Sequence, residues 1–216
     1  MAHIAVLGGN GYAGAAVVAE AHRRGHQVTA VSRAAPTSPV DDVTYVEGSV
    51  LDPDVLDRVI ADADVVISAL SPRGDMTGKV EGVVEDLVER LAGTSTRLGY
   101  VGGASSLLVE EGGPRLWDVA KDQMPDDVKP EVETGLHTLE LLEASPESLD
   151  WFYVSPPTDF GSWLGTPSTG SYTLGSDVLL RDAEGKSTIS ADDLALAIVD
   201  EIEAPAHHRK RFTAIA

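Results

Sequence analysis

Three glycines near the start of the chain, Gly8, Gly11 and Gly14, constrain its fold more than any other feature. They follow a short apolar run at 4–7 that is typical of a buried parallel strand. They lead into an Ala- and Val-rich segment at 12–24 that is typical of a helix. A glycine turn between a strand and a helix leaves backbone N–H groups free at the positive end of the helix, which suits a pyrophosphate. The spacing therefore predicts a dinucleotide-binding strand–turn–helix unit.

The next strand indicates which dinucleotide this unit prefers. The segment 27–32 is apolar and β-branched, and it ends in Ser32-Arg33. An NAD site would place Asp or Glu here to hold the ribose 2′-hydroxyl, whereas a guanidinium pairs with a 2′-phosphate. The pattern favours NADP(H), with NAD(H) the weaker candidate. The alternative is that Arg33 is a solvated loop residue.

Strand and helix patterns alternate through most of the chain, which predicts an α/β fold with a doubly wound parallel sheet in a single domain, residues 1–216. Further strands are predicted at 43–47, 64–70, 97–101, 149–155 and 211–215, and helices at 53–60, 79–91, 129–143 and 191–203. Ser190 and Asp193 predict a capping box for the last helix. A small hairpin is predicted from 171–174 and 178–180. The segments at about 104–128 and 156–190 are predicted to be lid elements, because long loops in a compact domain usually cover a binding site.

Charge and composition exclude several function classes. The chain has 35 acidic and 16 basic residues and a net charge of −19, which argues against nucleic-acid and membrane-surface partners. It has no cysteine, so thiolate chemistry and Cys-ligated metals are excluded. His207 and His208 are expected to lack carboxylate partners, and no metal site is predicted. No apolar run approaches 18 residues, so we expect a soluble cytoplasmic protein.

Seven motifs together resemble those of the atypical short-chain dehydrogenase/reductase proteins of the NmrA-like and NADH-flavin reductase-like kind, and more distantly biliverdin reductase B. The resemblance runs nearly end to end. It implies a Rossmann-type fold, NADP(H) as cofactor, and flavins or quinone-like molecules as acceptors. The motifs are GGNGYAG at 8–14, VSR at 31–33, EGSVLDP at 47–53, VVISAL at 65–70, VGGASSL at 101–107, VSPP at 154–157 and ISADDL at 189–194.

The resemblance also implies a set of cofactor-binding residues. The pyrophosphate would lie against the first glycine turn, the 2′-phosphate at Arg33 beside Ser32, and the adenine at Ser49 and Val50. Relatives usually carry Asp where this chain has Ser49, which implies weaker adenine binding. The remaining implied contacts are Gly8, Asn10, Gly11, Tyr12, Ala13 and Gly14 at the turn, Ala69 and Leu70 along the nicotinamide ribose, and Gly102, Gly103, Ser155, Pro156 and Pro157 around the nicotinamide.

The missing Tyr-x-x-x-Lys pair restricts the reaction. No tyrosine in the chain has a lysine four residues later, so the acid that protonates an alkoxide in full short-chain dehydrogenases is absent. Flavin reduction tolerates this loss, because the negative charge spreads over the ring and water can supply the proton. We therefore expect an NADPH-dependent reductase that takes flavin as a substrate and not as a bound cofactor, and that works as a monomer or homodimer.

Ser105 is the candidate catalytic residue. It follows the strand at 97–101, where an acceptor would lie beside the nicotinamide, and it could bind the carbonyl of the acceptor. The alternative role is that of an N-cap or turn serine. The alternative for the whole chain is a non-catalytic NADP(H)-sensing regulator, which the NmrA-like side of the resemblance allows.

Overall fold

The structure is a computed structural model that describes residues 1–216. Strands and helices largely alternate up to the sixth strand, with bounds that differ from the predicted ones by one to two residues at several ends. The exceptions are the second and third strands, which follow one another without a helix, and the two helices between the fifth and sixth strands. The strands are β1 His3–Leu7, β2 Gln27–Ser32, β3 Thr44–Glu47, β4 Val65–Ser68, β5 Arg97–Val101, β6 Trp151–Ser155, β7 Thr173–Gly175 and β8 Lys210–Ile215. The helices are α1 Tyr12–Arg23, α2 Pro53–Ile60, α3 Val80–Leu91, α4 Leu116–Ala120, α5 Lys129–Glu143 and α6 Ala191–Glu203.

All eight strands belong to one sheet in the order β3-β2-β1-β4-β5-β6-β8-β7. Every neighbouring pair is parallel except β7 with β8. The strand order reverses between β1 and β4, which is the point where a doubly wound sheet opens a crevice at its carboxyl edge. The predicted fold class is confirmed: the chain is a single Rossmann-like α/β domain.

Helices cover both faces of the sheet. On one face, α1 and α6 contribute Val17, Leu194 and Ile198 to a core of 23 buried residues. On the other face, α2, α3 and α5 contribute Leu56, Leu87 and Leu139 to a second core of 22 buried residues. Each fully buried aliphatic side chain stabilises the fold by about 1.5–3 kcal/mol. The two cores therefore hold the sheet rigid and fix the positions of the loops at its carboxyl edge.

The predicted hairpin is wrong. Thr173–Gly175 pairs antiparallel with β8, with Leu174 opposite Ala214, and Val178 makes an isolated bridge to Leu108 instead. A lone two-stranded hairpin buries little surface. Pairing of these three residues with the end of β8 satisfies backbone groups at what would otherwise be the open edge of a seven-stranded sheet.

The predicted Ser190 cap of α6 forms, but the reciprocal hydrogen bond of a capping box does not. The Ser190 hydroxyl accepts the backbone N–H of Asp193 at 3.0 Å, as predicted. The Asp193 carboxylate does not reach back to the Ser190 backbone. It accepts the backbone N–H groups of Thr169 and Gly170 at 2.9 and 2.8 Å and the Ser168 hydroxyl at 2.8 Å. The first turn of α6 is thereby tied to the loop that follows β6.

No helix is both long and apolar enough to cross a membrane.

Candidate functional site

A cleft of about 470 Å³ opens at the carboxyl edge of the sheet. Its walls come from the loops that follow β1, β4, β5 and β6 and from the first half of α5. Ten of the predicted site residues line it: Gly11, Tyr12, Ala13, Ala69, Leu70, Gly102, Gly103, Ser105, Pro156 and Pro157. The other eight lie outside its lining: Gly8, Asn10, Gly14, Ser32, Arg33, Ser49, Val50 and Ser155.

The glycine turn after β1 is held by backbone contacts that only glycine permits. Gly8 has a φ of +84°, and its N–H donates to the Val31 carbonyl at 3.0 Å. A Cβ on Gly14 would stand 2.2 Å from the Gly8 carbonyl oxygen. These two glycines therefore shape the turn and let α1 begin directly against it. They face each other inside the turn and do not line the cleft.

The start of α1 faces the cleft without a cap. Its N-cap is Gly11, no side chain caps it, and its first turn contains no acidic residue. The other five α-helices have either a side-chain cap or an acidic residue in the first turn. Since helix N-termini need acceptors for their free N–H groups and favour negative charge, this end of α1 fits the pyrophosphate of a dinucleotide.

Asn10 and Ser32 both form hydrogen bonds within the protein. The Ser32 hydroxyl accepts the backbone N–H of Asn10 at 3.0 Å, and the Asn10 side-chain amide donates to the Ala34 carbonyl at 2.6 Å. These contacts fasten the glycine turn to the end of β2, next to Arg33. Arg33 is 58% exposed and forms an ion pair with Asp75, which is 88% exposed. The guanidinium therefore lies at the surface beyond the cleft, on the side of the glycine turn.

The predicted adenine contacts are partly used within the protein. The Ser49 hydroxyl accepts the backbone N–H of Leu51 at 3.2 Å, and Val50 is buried in the core. Their roles, like those of the other predicted site residues, stay predictions.

The ends of β5 and β6 form the floor of the cleft. A Cβ on Gly102 would overlap the Tyr153 hydroxyl oxygen, at 1.8 Å, so that glycine is required by packing. Gly103 has open space around it. The Ser155 hydroxyl is buried without a hydrogen-bond partner, directly before the cleft-lining Pro156. Ser105 is half-buried in the wall of the cleft.

Three residues that are far apart in sequence meet at the wall of the cleft that α5 and the loop after β6 form. Arg73, in the loop after β4, donates from Nε to the carboxylate of Glu131 on α5. The guanidinium carbon of Arg73 lies 5.5 Å from the ring centroid of Trp163, in the loop after β6. Arg73 was predictable as a residue of the carboxyl edge, because it follows β4. Nothing in the sequence links it to Glu131, which is 58 positions away.

A second contact joins the loop after β6 to α1. The rings of Phe160 and Tyr12 lie 5.1 Å apart between centroids, with their planes tilted by 50°. The loop therefore reaches across the cleft to the first residue of α1. The assignment of 104–128 and 156–190 as lid elements stays a prediction.

The cleft has few groups that could move a proton. No histidine, lysine or aspartate lines it, and its one carboxylate, Glu131, is paired with Arg73. Tyr100 lines the cleft, and its burial raises the pKa of its hydroxyl well above the ordinary value. The site is therefore poor in general acids.

The expectation about the C-terminal histidines is wrong. His207 Nδ1 lies 2.6 Å from a Glu201 carboxylate oxygen, and His208 Nδ1 lies 2.9 Å from Asp150. Glu201 is only six positions before His207, whereas Asp150 is 58 positions before His208 and is brought close by the pairing of β6 with β8. Even so, no group of three or more His, Asp or Glu side chains is arranged to hold a metal ion.

The profile of a protein family described as NAD(P)H-binding matches residues 8–205. The chain belongs to this NAD(P)H-binding family. The match begins at the first glycine of the turn and includes every residue that lines the cleft. The resemblance drawn from the sequence motifs is thereby confirmed, and the cofactor of this NAD(P)H-binding protein is a nicotinamide dinucleotide.

Relatives match the NAD(P)H-binding chain over its whole length. It is 34% identical to the Bacillus subtilis (strain 168) protein YwnB over 99% of this chain and 98% of that protein. It is 32% identical to the crystal structure of SP1627 from Streptococcus pneumoniae TIGR4, a proposed NADH-flavin reductase. The two superpose with a TM-score of 0.88 over 100% of this chain and 99% of that one. These matches place the chain among NAD(P)H-dependent oxidoreductases.

A more distant structure supports the fold alone. It is a wide-type short-chain dehydrogenase/reductase from Veillonella parvula DSM 2008, solved in complex with NADP. It is 18% identical, with a TM-score of 0.75 over 100% of this chain and 94% of that one.

Proposed function

We propose that the protein reduces flavin or quinone-like acceptors by hydride transfer from NADPH. The observation that carries this proposal is the composition of the cleft. One end meets the uncapped start of α1. The rest of the lining combines apolar and aromatic side chains with serine and threonine hydroxyls, and it contains no histidine, lysine or aspartate. A planar acceptor that delocalises negative charge after receiving a hydride needs such a surface and little acid catalysis.

Each negative group of the cofactor has a candidate donor, one at the start of α1 in the cleft and one at the surface beside it. We expect the free N–H groups at the start of α1 to bind the pyrophosphate. Arg33 is expected to bind the 2′-phosphate, since it is the cation at the end of β2 where an NAD site carries a carboxylate. When bound, NADPH supplies the hydride at its nicotinamide ring. Gly103, which has open space around it, then leaves room for that ring beside the ends of β5 and β6.

The acceptor end offers the second ring an apolar surface. Pro156, Pro157 and Phe160 line the cleft, and we expect the acceptor ring to pack against them while the cleft stays open to water. Ser105, in the opposite wall, is expected to donate a hydrogen bond to a carbonyl oxygen of the acceptor. This bond orients the acceptor and does not require Ser105 to lose its proton, so the proton that completes the reduction comes from water.

The name of the pneumococcal relative, a proposed NADH-flavin reductase, agrees with this acceptor class. The missing Tyr-x-x-x-Lys pair weighs against interconversion of alcohols and ketones.

The test is steady-state oxidation of NADPH, followed at 340 nm, with FMN, riboflavin and a soluble quinone as separate acceptors. We expect turnover with at least one of them and none with simple ketones. NADPH binding should be measured on the same sample by titration calorimetry. Binding of NADPH without turnover of any acceptor would overturn the reductase and favour a regulator that senses the NADP(H) ratio.

A further inference from the structure

We propose that Arg73 selects for acceptors that carry an anionic group, so that a phosphorylated flavin is bound in preference to its neutral parent. The proposal rests on the flavin-reductase function proposed above and names the substrate class within it. Arg73 is the only positively charged residue that lines the cleft. In a chain with a net charge of −19, an anionic acceptor is repelled by the protein as a whole and needs a local cation to bind.

The guanidinium of Arg73 is oriented by one hydrogen bond and keeps other N–H groups available to a ligand. Its Nε donates to Glu131, and this is the only hydrogen bond that the side chain makes. Both Nη groups are therefore free to donate. Two parallel N–H groups on a planar fork match the oxygens of a phosphate or carboxylate, which Lys could not do as well.

Trp163 gives the same site an aromatic surface. Its indole lies against Arg73, and it packs on the backbone of Gly161, where a Cβ would stand 2.2 Å from the ring. The side chain is nevertheless 68% exposed. An exposed large aromatic side chain that is fixed in position beside a cation and at the rim of an apolar cleft suits a planar ring with a charged tail.

The contacts of the loop after β4 distinguish Arg73 from the residues assigned to the cofactor phosphates. Arg73 contacts Glu131 on α5 and Trp163 in the loop after β6, whereas Asp75, two residues later in the same loop, pairs with Arg33 at the end of β2. We therefore assign Arg73 to the acceptor and not to the pyrophosphate or 2′-phosphate.

Glu131 sets how strong the preference is. Its carboxylate orients the guanidinium, but its negative charge also opposes a nearby anion. Glu131→Gln keeps an oxygen to accept from Nε and removes that charge. This substitution should strengthen the preference for the anionic acceptor, whereas Arg73→Ala should abolish it. A role confined to holding the cleft together would affect both acceptors alike.

The experiment measures FMN and riboflavin binding by quenching of flavin fluorescence, with the protein saturated with NADP⁺, and then the kcat/KM of each flavin with NADPH. The readout is the ratio of FMN to riboflavin affinity. We expect Arg73→Ala to lower this ratio about tenfold, the effect of one hydrogen bond to a charged group. Glu131→Gln should raise the ratio, and added salt should lower it in the parent.

A matched control is available in a second ion pair to helix α5. Arg115 pairs with Glu140 of α5 at 3.2 Å and lies outside the cleft, so Arg115→Ala should leave the ratio unchanged. Equal affinities for FMN and riboflavin in the parent, or a ratio that Arg73→Ala does not change, would overturn the role of Arg73. Selective binding of FMN without turnover would support the anion site and reject the reductase. Failure of both flavins to bind would reject both.

Discussion

Nη1 of Arg33 lies 2.9 Å from Oδ2 of Asp75, which joins the end of β2 to the loop after β4. Both side chains are largely exposed, so this ion pair contributes little to stability. Its significance is that the carboxylate of Asp75 takes the place next to Arg33 that we assign to the 2′-phosphate of NADPH. The affinity for NADPH then reflects a competition between an internal carboxylate and the phosphate.

The competition between Asp75 and the 2′-phosphate leads us to expect specific differences in cofactor affinity. NADPH should bind more tightly than NADH, and Arg33→Ala should remove most of the difference, about 1–3 kcal/mol for hydrogen bonds to a charged group. Asp75→Asn should tighten NADPH binding and leave NADH binding unchanged, because it removes only the competing charge. Titration calorimetry with both cofactors measures the effect. Equal affinities of the parent for NADPH and NADH would contradict the assignment of Arg33.

The glycine turn offers a pair of substitutions that separate binding from folding. Gly11 has φ −73° and ψ 169°, which valine adopts readily, and a Cβ there would lie 3.1 Å from the Gly8 carbonyl oxygen. Gly11→Val should therefore fold, but its side chain should block the approach of the pyrophosphate and weaken cofactor binding more than tenfold, the equivalent of about 1.4 kcal/mol.

Gly14→Ala is the matched control, since its Cβ would stand 2.2 Å from the same carbonyl oxygen. It should destabilise the fold by at least about 1–3 kcal/mol, which for a chain of this size lowers Tm by roughly 2–4 °C per kcal/mol. Thermal unfolding and cofactor titration of both variants distinguish the two effects. Normal cofactor binding by a folded Gly11→Val variant would show that the phosphates lie elsewhere.

The parts of the fold that local sequence determines were predictable. Apolar runs bounded by glycine, proline and capping residues predicted β2, α2, β5, α5 and α6 with their observed bounds, because local caps and turns end these elements. The hairpin failed for the opposite reason. Residues 173–175 pair with a strand about 40 positions later, and which partner a short edge strand takes depends on the finished sheet.

The same division applies to the candidate site. The glycine turn and the ends of β4, β5 and β6 were predictable, since parallel strands bring their carboxyl ends to one edge. The contact of Arg73 with Glu131 and Trp163 was not, because it depends on how α5 and the loop after β6 pack. The internal hydrogen bonds of Asn10, Ser32 and Ser49 likewise could not be predicted from the motifs.

The rate of flavin reduction should depend only weakly on pH near neutrality. The cleft has no histidine or lysine in its lining, and burial keeps the Tyr100 hydroxyl protonated throughout this range. With no acid or base titrating, kcat/KM for the acceptor should change by less than about twofold between roughly pH 6 and 8, where a general acid would contribute 10²–10⁴-fold. A bell-shaped profile in this range would indicate an acid that the cleft residues do not supply.

Asp193 should stabilise the protein in a pH-dependent way. Burial raises the pKa of its carboxyl, but hydrogen bonds from Thr169, Ser168, Ser190 and Gly170 outweigh burial, so the pKa lies below its ordinary value of 3.8. A carboxyl with a lowered folded-state pKa stabilises the fold above its unfolded pKa, and this contribution is lost as the pH falls through the folded pKa.

Asp193→Asn tests this contribution. At pH 7 it should cost about 1–3 kcal/mol, since an amide leaves donors of the 168–170 loop unsatisfied. The difference in unfolding free energy from the parent should shrink as the pH is lowered below about 4. Urea unfolding at a series of pH values measures it, and a difference that stays constant from pH 7 down to acid unfolding would contradict the role of the carboxylate charge.

Ser105 should act on the acceptor and not on the cofactor. Its half-buried hydroxyl lies in the wall of the cleft, where we expect it to face the acceptor ring. Ser105→Ala should lower kcat/KM for the acceptor roughly 2- to 10-fold, the effect of one neutral hydrogen bond. The dissociation constant of NADPH should stay the same.

Ser105→Thr, which keeps the hydroxyl, should recover part of the loss if the hydroxyl itself orients the acceptor. If Ser105→Ala weakens NADPH binding and acceptor use by the same factor, Ser105 shapes the turn after β5 and does not contact the acceptor.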